Sequence, residues 1–192
     1  MRYDVRPVQR RPSQAELRAA AGRTVPDVVE PDLELLFCGI NPGLFSGAVG
    51  HHFARPGNRF FKVLHLAGFT PEQLEPSEER RLLGHGIGIT NLVPRATASA
   101  AELTQAELRR GVARVANVAD EVGAGWVAFL GMGAYRTGFG RRHARLGEQP
   151  ERLGRARIWL LPNPSGLQAR YQLPELVELF GDLRRQIRTR RS

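Results

Sequence analysis

Scarcity is the first property this sequence shows. Its 192 residues contain one cysteine, Cys38, and one lysine, Lys62. A lone cysteine excludes an internal disulfide and fits a reducing, cytoplasmic setting. Cys38 ends an apolar run, where a small buried hydrophobe is expected in preference to a reactive thiol. The only adjacent histidines, His51-His52, have no cysteine or carboxylate partner at metal-ligand spacing, so no metal is expected. The longest apolar runs, such as Leu33 to Cys38 and Trp126 to Leu130, are far too short to cross a bilayer. The basic N-terminus lacks the apolar segment of a signal peptide. A P-loop and a G-x-S-x-G elbow are missing too, which removes the common nucleotide-hydrolase and serine-hydrolase readings.

Positive charge is abundant. Lys and Arg number 28 against 19 Asp and Glu, a formal net charge of +9, carried almost entirely by arginine. A guanidinium fork grips phosphate at two points, so an arginine surplus suits a polyanionic partner; a merely solvated basic surface is the alternative. Arg2, Arg6, Arg10 and Arg11 cluster at one end, and Arg184, Arg185, Arg188, Arg190 and Arg191 at the other. Such termini are expected to be solvated tails that add salt-sensitive attraction to a polyanion.

With no internal repeat and no long linker, the length suits one domain. Ser13-Gln14-Ala15-Glu16 is a capping box that predicts a short N-terminal helix. Leu33 to Cys38 reads as a buried strand, and Leu44 to Gly57 as a long loop rich in glycine and proline. Asn58 to Ala67 predicts a helix closed by Gly68, and Ser77 to Leu83 a short helical piece. Ile87 to Val93, Trp126 to Leu130 and Ile158 to Leu161 predict three further strands. Between them, Thr104-Gln105-Ala106-Glu107 opens a helix whose apolar face runs through Leu108, Val112, Val115, Val118 and Val122. A short helix is expected around Tyr135, and a last amphipathic one from Pro174 to about Arg188. Strands alternating with helices predict an α/β fold: a three-layer α/β/α sandwich with a central, mainly parallel sheet of four to five strands. Ligands sit beyond the carboxyl ends of such strands. The segments Gly39 to Gly43, Asn91 to Thr97 and Asn163 to Leu167 are therefore expected to converge on one crevice.

Taken alone, Gly39-Ile40-Asn41-Pro42-Gly43 after a strand is a tight turn, whose asparagine could cap a helix or close an Asx-turn. Its glycine spacing is wrong for a dinucleotide fingerprint. Four blocks taken together say more. G-I-N-P-G-L (Gly39 to Leu44), G-H-H-F-A-R-P-G-N-R-F-F-K (Gly50 to Lys62), G-I-T-N-L-V (Gly88 to Val93) and L-P-N-P-S-G-L (Leu161 to Leu167) occur in this order. The chain resembles the mismatch-specific uracil/thymine DNA glycosylases of the uracil-DNA glycosylase superfamily, over roughly Pro26 to Leu183.

That resemblance implies a monofunctional enzyme that initiates base excision repair without a cofactor. It would flip uracil, with thymine or modified pyrimidines as further substrates, from opposite guanine and hydrolyse the glycosidic bond. Asn41 matches the residue that positions the attacking water. A carboxamide orients water but takes up no proton, which implies a slow reaction. His52 matches a histidine near the substrate, with a satisfied loop histidine as the alternative. Phe53 would stack on the flipped base or anchor its loop in the core. Ile40 would lend a backbone N–H, and Asn58 and Asn91 would read the pyrimidine edge; Asn58 could instead cap the helix that follows. Asn163, Ser165, Gly166, Leu167 and Gln168 would contact the orphaned guanine, Leu167 as the wedge filling the vacated stack. The partner implied is double-stranded DNA with G·U or G·T mismatches, bound by a monomer at the nucleoid. The expected organisation is a basic extension with a short helix over 1–25, a glycosylase domain over 26–183 and a basic tail over 184–192. Two alternatives stay open: a sister glycosylase specific for hypoxanthine, and a noncatalytic damaged-base binder.

Overall fold

A computed structural model describes residues 11–166 and 170–190. Its sheet has five strands: β1 (Leu35–Gly39), β2 (Ile87–Asn91), β3 (Trp126–Leu130), β4 (Gly147–Leu153) and β5 (Ala156–Leu161). Their order is β2-β1-β3-β5-β4, parallel throughout except for β4, which runs antiparallel to β5. Every residue of β1, β2 and β3 is buried, as strands covered on both faces require.

Side-chain alternation defines the layers. In-register partners point to the same face, and successive residues to opposite faces. Phe37 is level with Ile89 and Ala128, whereas Cys38 is level with Thr90 and Phe129. The Phe37 ring meets Phe60 of α3 (Phe60–Leu66) and Phe180 of α6 (Leu173–Thr189), at 5.3 and 5.8 Å between centroids. On the other face, the Phe129 ring meets Tyr135 and Phe139 of α5 (Met132–Phe139) at 5.4 and 5.2 Å. Helix α4 (Gln105–Glu121) packs beside α5. Helices thus cover both faces, and the expected three-layer sandwich forms.

Both expected capping boxes form, at Ser13 for α1 (Gln14–Ala19) and at Thr104 for α4. The predicted strands appear within two residues of their expected ends. Cys38 is fully buried, and burial pushes its thiol far above the ordinary range, which leaves it inert.

Two expectations need correction, and two elements take forms the sequence does not specify. Leu44 to Gly57 is not one continuous loop, because it opens with helix α2 (Leu44–Val49). Periodicity cannot mark so short a helix with Gly47 inside it. Tertiary contact sets it: a Cβ on Gly47 would lie 2.7 Å from Cβ of Ala96, so only glycine lets α2 sit that close. Strand β4, Gly-Glu-Gln-Pro-Glu-Arg-Leu, alternates too weakly to be read as a strand. It is an edge strand with a register irregularity between Glu148 and Arg152, the setting in which Pro150 is tolerated. Ser77 to Leu83 lies within a 3-10 helix, Pro76–His85. The boundary expected at 184 falls inside α6, which continues to Thr189. There Arg184 lies against Gly68, and Arg185 and Arg190 pair with Asp182 and Glu148, so these arginines are parts of a helix and not of a free tail. Arg2, Arg6, Arg10 and Arg191 lie outside the described residues.

Candidate active site

A cavity of about 390 Å³ opens where the ends of β1, β2, β3 and β5 meet their following loops. Ile40, Asn41, His52, Phe53, Asn58, Asn91, Asn163 and Ser165 all line it, so the three segments expected to converge do so. A wider groove of about 670 Å³ lies along 140–151, where arginines alternate with Glu148 and Glu151. It holds none of the motif residues. The smaller cavity, at the strand ends, is where an α/β sheet binds its ligand.

The first wall is an extension of the sheet. Beyond β1, the carbonyls of Gly39, Ile40 and Pro42 accept from the amides of Leu92, Val93 and Thr97, at 2.8, 2.9 and 3.1 Å. The turn is therefore held by backbone on its β2 side. Within it, Asn41 Nδ2 donates to Thr97 Oγ1 (2.7 Å) and Arg95 O (3.0 Å), with Pro42 O at 3.1 Å. Thr97 donates its own hydroxyl proton to Ser99 O (2.8 Å), so it can only accept from Asn41. This fixes the amide orientation, with Nδ2 turned to the protein. Oδ1 accepts no hydrogen bond among the described residues and remains an acceptor at the cavity.

His52 stands behind the cavity, 2% exposed. Its Nε2 lies 2.9 Å from Pro26 O, which has no proton to give, so Nε2 carries the hydrogen. Its Nδ1 then accepts from Asn91 Nδ2 at 3.1 Å. That bond settles the Asn91 amide, whose Oδ1 lies over Gly39: a Cβ there would meet Oδ1 at 2.5 Å and the Phe53 ring at 3.3 Å. Gly39 is therefore needed for close approach.

Asn91 is held from the other side as well. Arg114 of α4 donates to Asn91 O (2.8 Å) and to Thr90 Oγ1 (3.0 Å), and pairs with Asp27 at 2.5 Å. The segment Pro26-Asp27 thus anchors both the His52 ring and Arg114. His52 N–H donates to buried Glu79 at 2.8 Å, and the other Glu79 oxygen meets His51 Nδ1 at 3.0 Å.

Phe53 has φ +53, a left-handed conformation an aromatic residue holds only under tertiary constraint. The constraint is stacking on Phe60, with centroids 4.0 Å apart. The expected anchoring in the core forms, because the ring ends a series of aromatic contacts that runs from Phe180 through Phe37 and Phe60, and Phe53 also lines the cavity. Asn58 likewise does two things, because its Oδ1 accepts from Phe60 N–H at 3.0 Å while the residue lines the cavity. Ile40 packs its side chain over Gly131, where a Cβ would lie 2.8 Å from Ile40 Cδ1.

The facing wall comes from the end of β5. Asn163 Oδ1 accepts from Ser165 N–H at 3.0 Å, closing an Asx-turn. Gly166 lies against the preceding pocket loop: a Cβ on it would sit 2.4 Å from Gly57 O. Leu167 and Gln168, the expected wedge and its neighbour, lie outside the described residues.

Glu79, Thr97, Arg114, Asp27 and Pro26 were not anticipated as site residues. Thr97 closes a loop already expected at the site, and its hydroxyl was the available signal. Glu79 and Asp27 carry no local signal, since each acts on residues distant in sequence. Among the described residues that line the cavity there is no carboxylate and no lysine.

Residues 26–184 match the family profile described as the uracil DNA glycosylase superfamily. The fold is similar to the solution NMR structure of a candidate uracil DNA glycosylase from Methanosarcina acetivorans, with a TM-score of 0.58 at 20% identity, covering 85% of this chain and 98% of that one. The matched span takes in every described wall of the cavity, and the chain belongs to the uracil DNA glycosylase superfamily.

Proposed function

We propose that this protein is a monofunctional, mismatch-specific DNA glycosylase, acting as a monomer on uracil opposite guanine and initiating base excision repair. The observation that carries the reading is the Asn41 carboxamide, pinned through Nδ2 and leaving Oδ1 as an acceptor at a cavity walled by Phe53, Asn58 and Asn91. Uracil enters beside Phe53, where base–aromatic stacking contributes about 1–3 kcal/mol. The amides of Asn58 and Asn91 face its polar edge, which offers donor and acceptor together.

Asn41 Oδ1 accepts a hydrogen from one water and so turns that water's lone pair toward the sugar carbon. As the glycosidic bond breaks, the base nitrogen keeps the electron pair. The water oxygen then bonds to the sugar carbon and releases a proton to solvent. Fixed donors at the base stabilise the departing anion because they need no reorganisation when charge develops. Among the described lining residues there is no carboxylate to take up the water's proton, which supports a slow enzyme, as general-base help contributes about 10²–10⁴-fold. The absence of a lysine from the described lining supports hydrolysis over Schiff-base lyase chemistry. On the same reading, Leu167 fills the space left in the stack, and the backbone around Ser165 and Gly166 meets the orphaned guanine.

Release of free base from duplexes carrying G·U, G·T or hypoxanthine tests this reading. Uracil release from G·U is expected, and Asn41→Ala is expected to lose roughly 10²-fold while still binding, the scale of a misplaced reactant. Binding without release by the wild-type protein would leave a damaged-base binder. Preference for hypoxanthine would move the protein to a sister activity.

A further inference from the structure

Arg59 lies inside the block Gly50 to Lys62, yet its side chain is spent on the other motif. Its Nε donates to Pro164 O (3.3 Å), its Nη2 to Ser165 O (2.8 Å) and its Nη1 to Tyr171 O (2.7 Å). Its backbone N–H also donates to Pro164 O, at 3.1 Å. One guanidinium therefore holds both roots of the segment that leaves β5 and returns to α6. The planar fork suits this task, since it can meet carbonyls on two sides at once. A second contact joins the same two loops independently, because Gly166 sits so close to Gly57 O that no side chain fits between them.

We infer that Arg59 is a positioning residue that ties the base-pocket loop to Pro164, Ser165 and Tyr171, the roots of the duplex-entering segment, so that insertion at the vacated stack is set by the pocket that receives the base. The inference rests on the reading of Asn163 to Leu167 as the segment that enters the duplex. Arg59 touches neither base nor sugar on this view. Its effect passes through the carbonyls of Pro164, Ser165 and Tyr171. Charge alone does not suffice, because a lysine ammonium at this site cannot span Ser165 O and Tyr171 O in the same fixed plane.

A double-mutant cycle on single-turnover uracil release from a G·U duplex tests it, using wild type, Arg59→Ala, Leu167→Ala and the double variant. Arg59→Ala is expected to slow release about tenfold or more, and to cost less than about threefold once Leu167 is already alanine, as coupled residues do. Equal losses in both backgrounds, or no loss in either, would overturn the inference. Arg59→Lys serves as the second variant should the alanine fail to fold, with a loss nearer to alanine than to wild type expected. Hydrogen exchange supplies a readout free of activity. Arg59→Ala should speed exchange at the amides of Ser165, Gly166 and Tyr171 and leave those of β5 unchanged. If the wild-type protein releases no base, the glycosylase reading fails, and unaltered exchange in Arg59→Ala would by itself sink the positioning role.

Discussion

The two walls of the cavity are built differently. The Gly39 to Gly43 wall is held mainly by main chain, with three carbonyls continuing the β1–β2 ladder past the strand ends. Its one polar side chain, Asn41, is oriented in part by a hydroxyl whose own proton is already committed. The 163–166 wall has an Asx-turn of its own, packs at Gly166 against Gly57 and is held in addition by Arg59, a side chain from another element. The contrast fits the two tasks proposed for these walls. Placing a water tolerates little error, and peptide groups paired to a sheet are hard to displace. On the proposed role, a segment that enters the duplex needs correct placement at its roots, which one forked side chain supplies.

The sharpest way to break the first wall is to fill the space it keeps empty. Gly39→Ala drives a methyl onto Asn91 Oδ1 and the Phe53 ring, and is expected to lower uracil release by roughly 10²-fold or more. Thermal unfolding should also show a loss on the order of 1–3 kcal/mol, typical of overpacking. A wild-type rate for Gly39→Ala would mean that Asn91 and Phe53 do not set the pocket.

A subtler change removes only the orientation of Asn41. Thr97→Val keeps shape but can neither accept from Asn41 nor donate to Ser99, so the amide loses its shortest bond and is held only by the carbonyls of Arg95 and Pro42. Release is expected to fall about tenfold with the melting temperature shifted by only a few degrees, since a neutral hydrogen bond is worth about 1 kcal/mol. If Thr97→Val loses stability but keeps its rate, Asn41 is oriented by something else.

The smallest effect is expected at the outer support of that wall. Arg95, whose carbonyl accepts from Asn41, pairs with Glu107, and that guanidinium with the Thr104 cap holds the Glu107 carboxyl down at about 2. The ordinary glutamate value is about 4.3. A lowered folded-state value contributes stability that is complete above the ordinary value and is lost as pH falls toward the folded one. Glu107→Gln should therefore melt slightly below wild type at pH 7, with the difference closing between about pH 4.3 and 2. A difference unchanged across that range would show that the charge is not what Glu107 contributes. The exposure of this pair keeps the effect small.

Much of this arrangement was legible from residue order. Strand β3 and the two capping boxes are local patterns, and the convergence of three loops follows from how parallel sheets end. Helix α2 and strand β4 were not legible, for opposite reasons. The first is a short, glycine-containing helix set by contact with Ala96, and the second a polar edge strand whose alternation is broken by Pro150. Among site residues, Phe53 and Asn58 could each be read two ways from sequence. The structure leaves both readings in place, because one face of the ring and one atom of the amide are enough for the internal role.

By itself the sequence determined the four parallel strands, the longer helices and which residue types stand at the strand ends, because these depend on periodicity and on turn chemistry within a few neighbours. Only the tertiary structure decided what each side chain there can still do. The direction of the Asn41 amide depends on Thr97, the tautomer of His52 on Pro26, and the seat of Asn91 on His52 and Arg114. These partners lie 56, 26, 39 and 23 residues apart in the chain. A hydrogen bond is read from angstroms of distance and the prior commitments of its donor and acceptor, and neither quantity is written in sequence order.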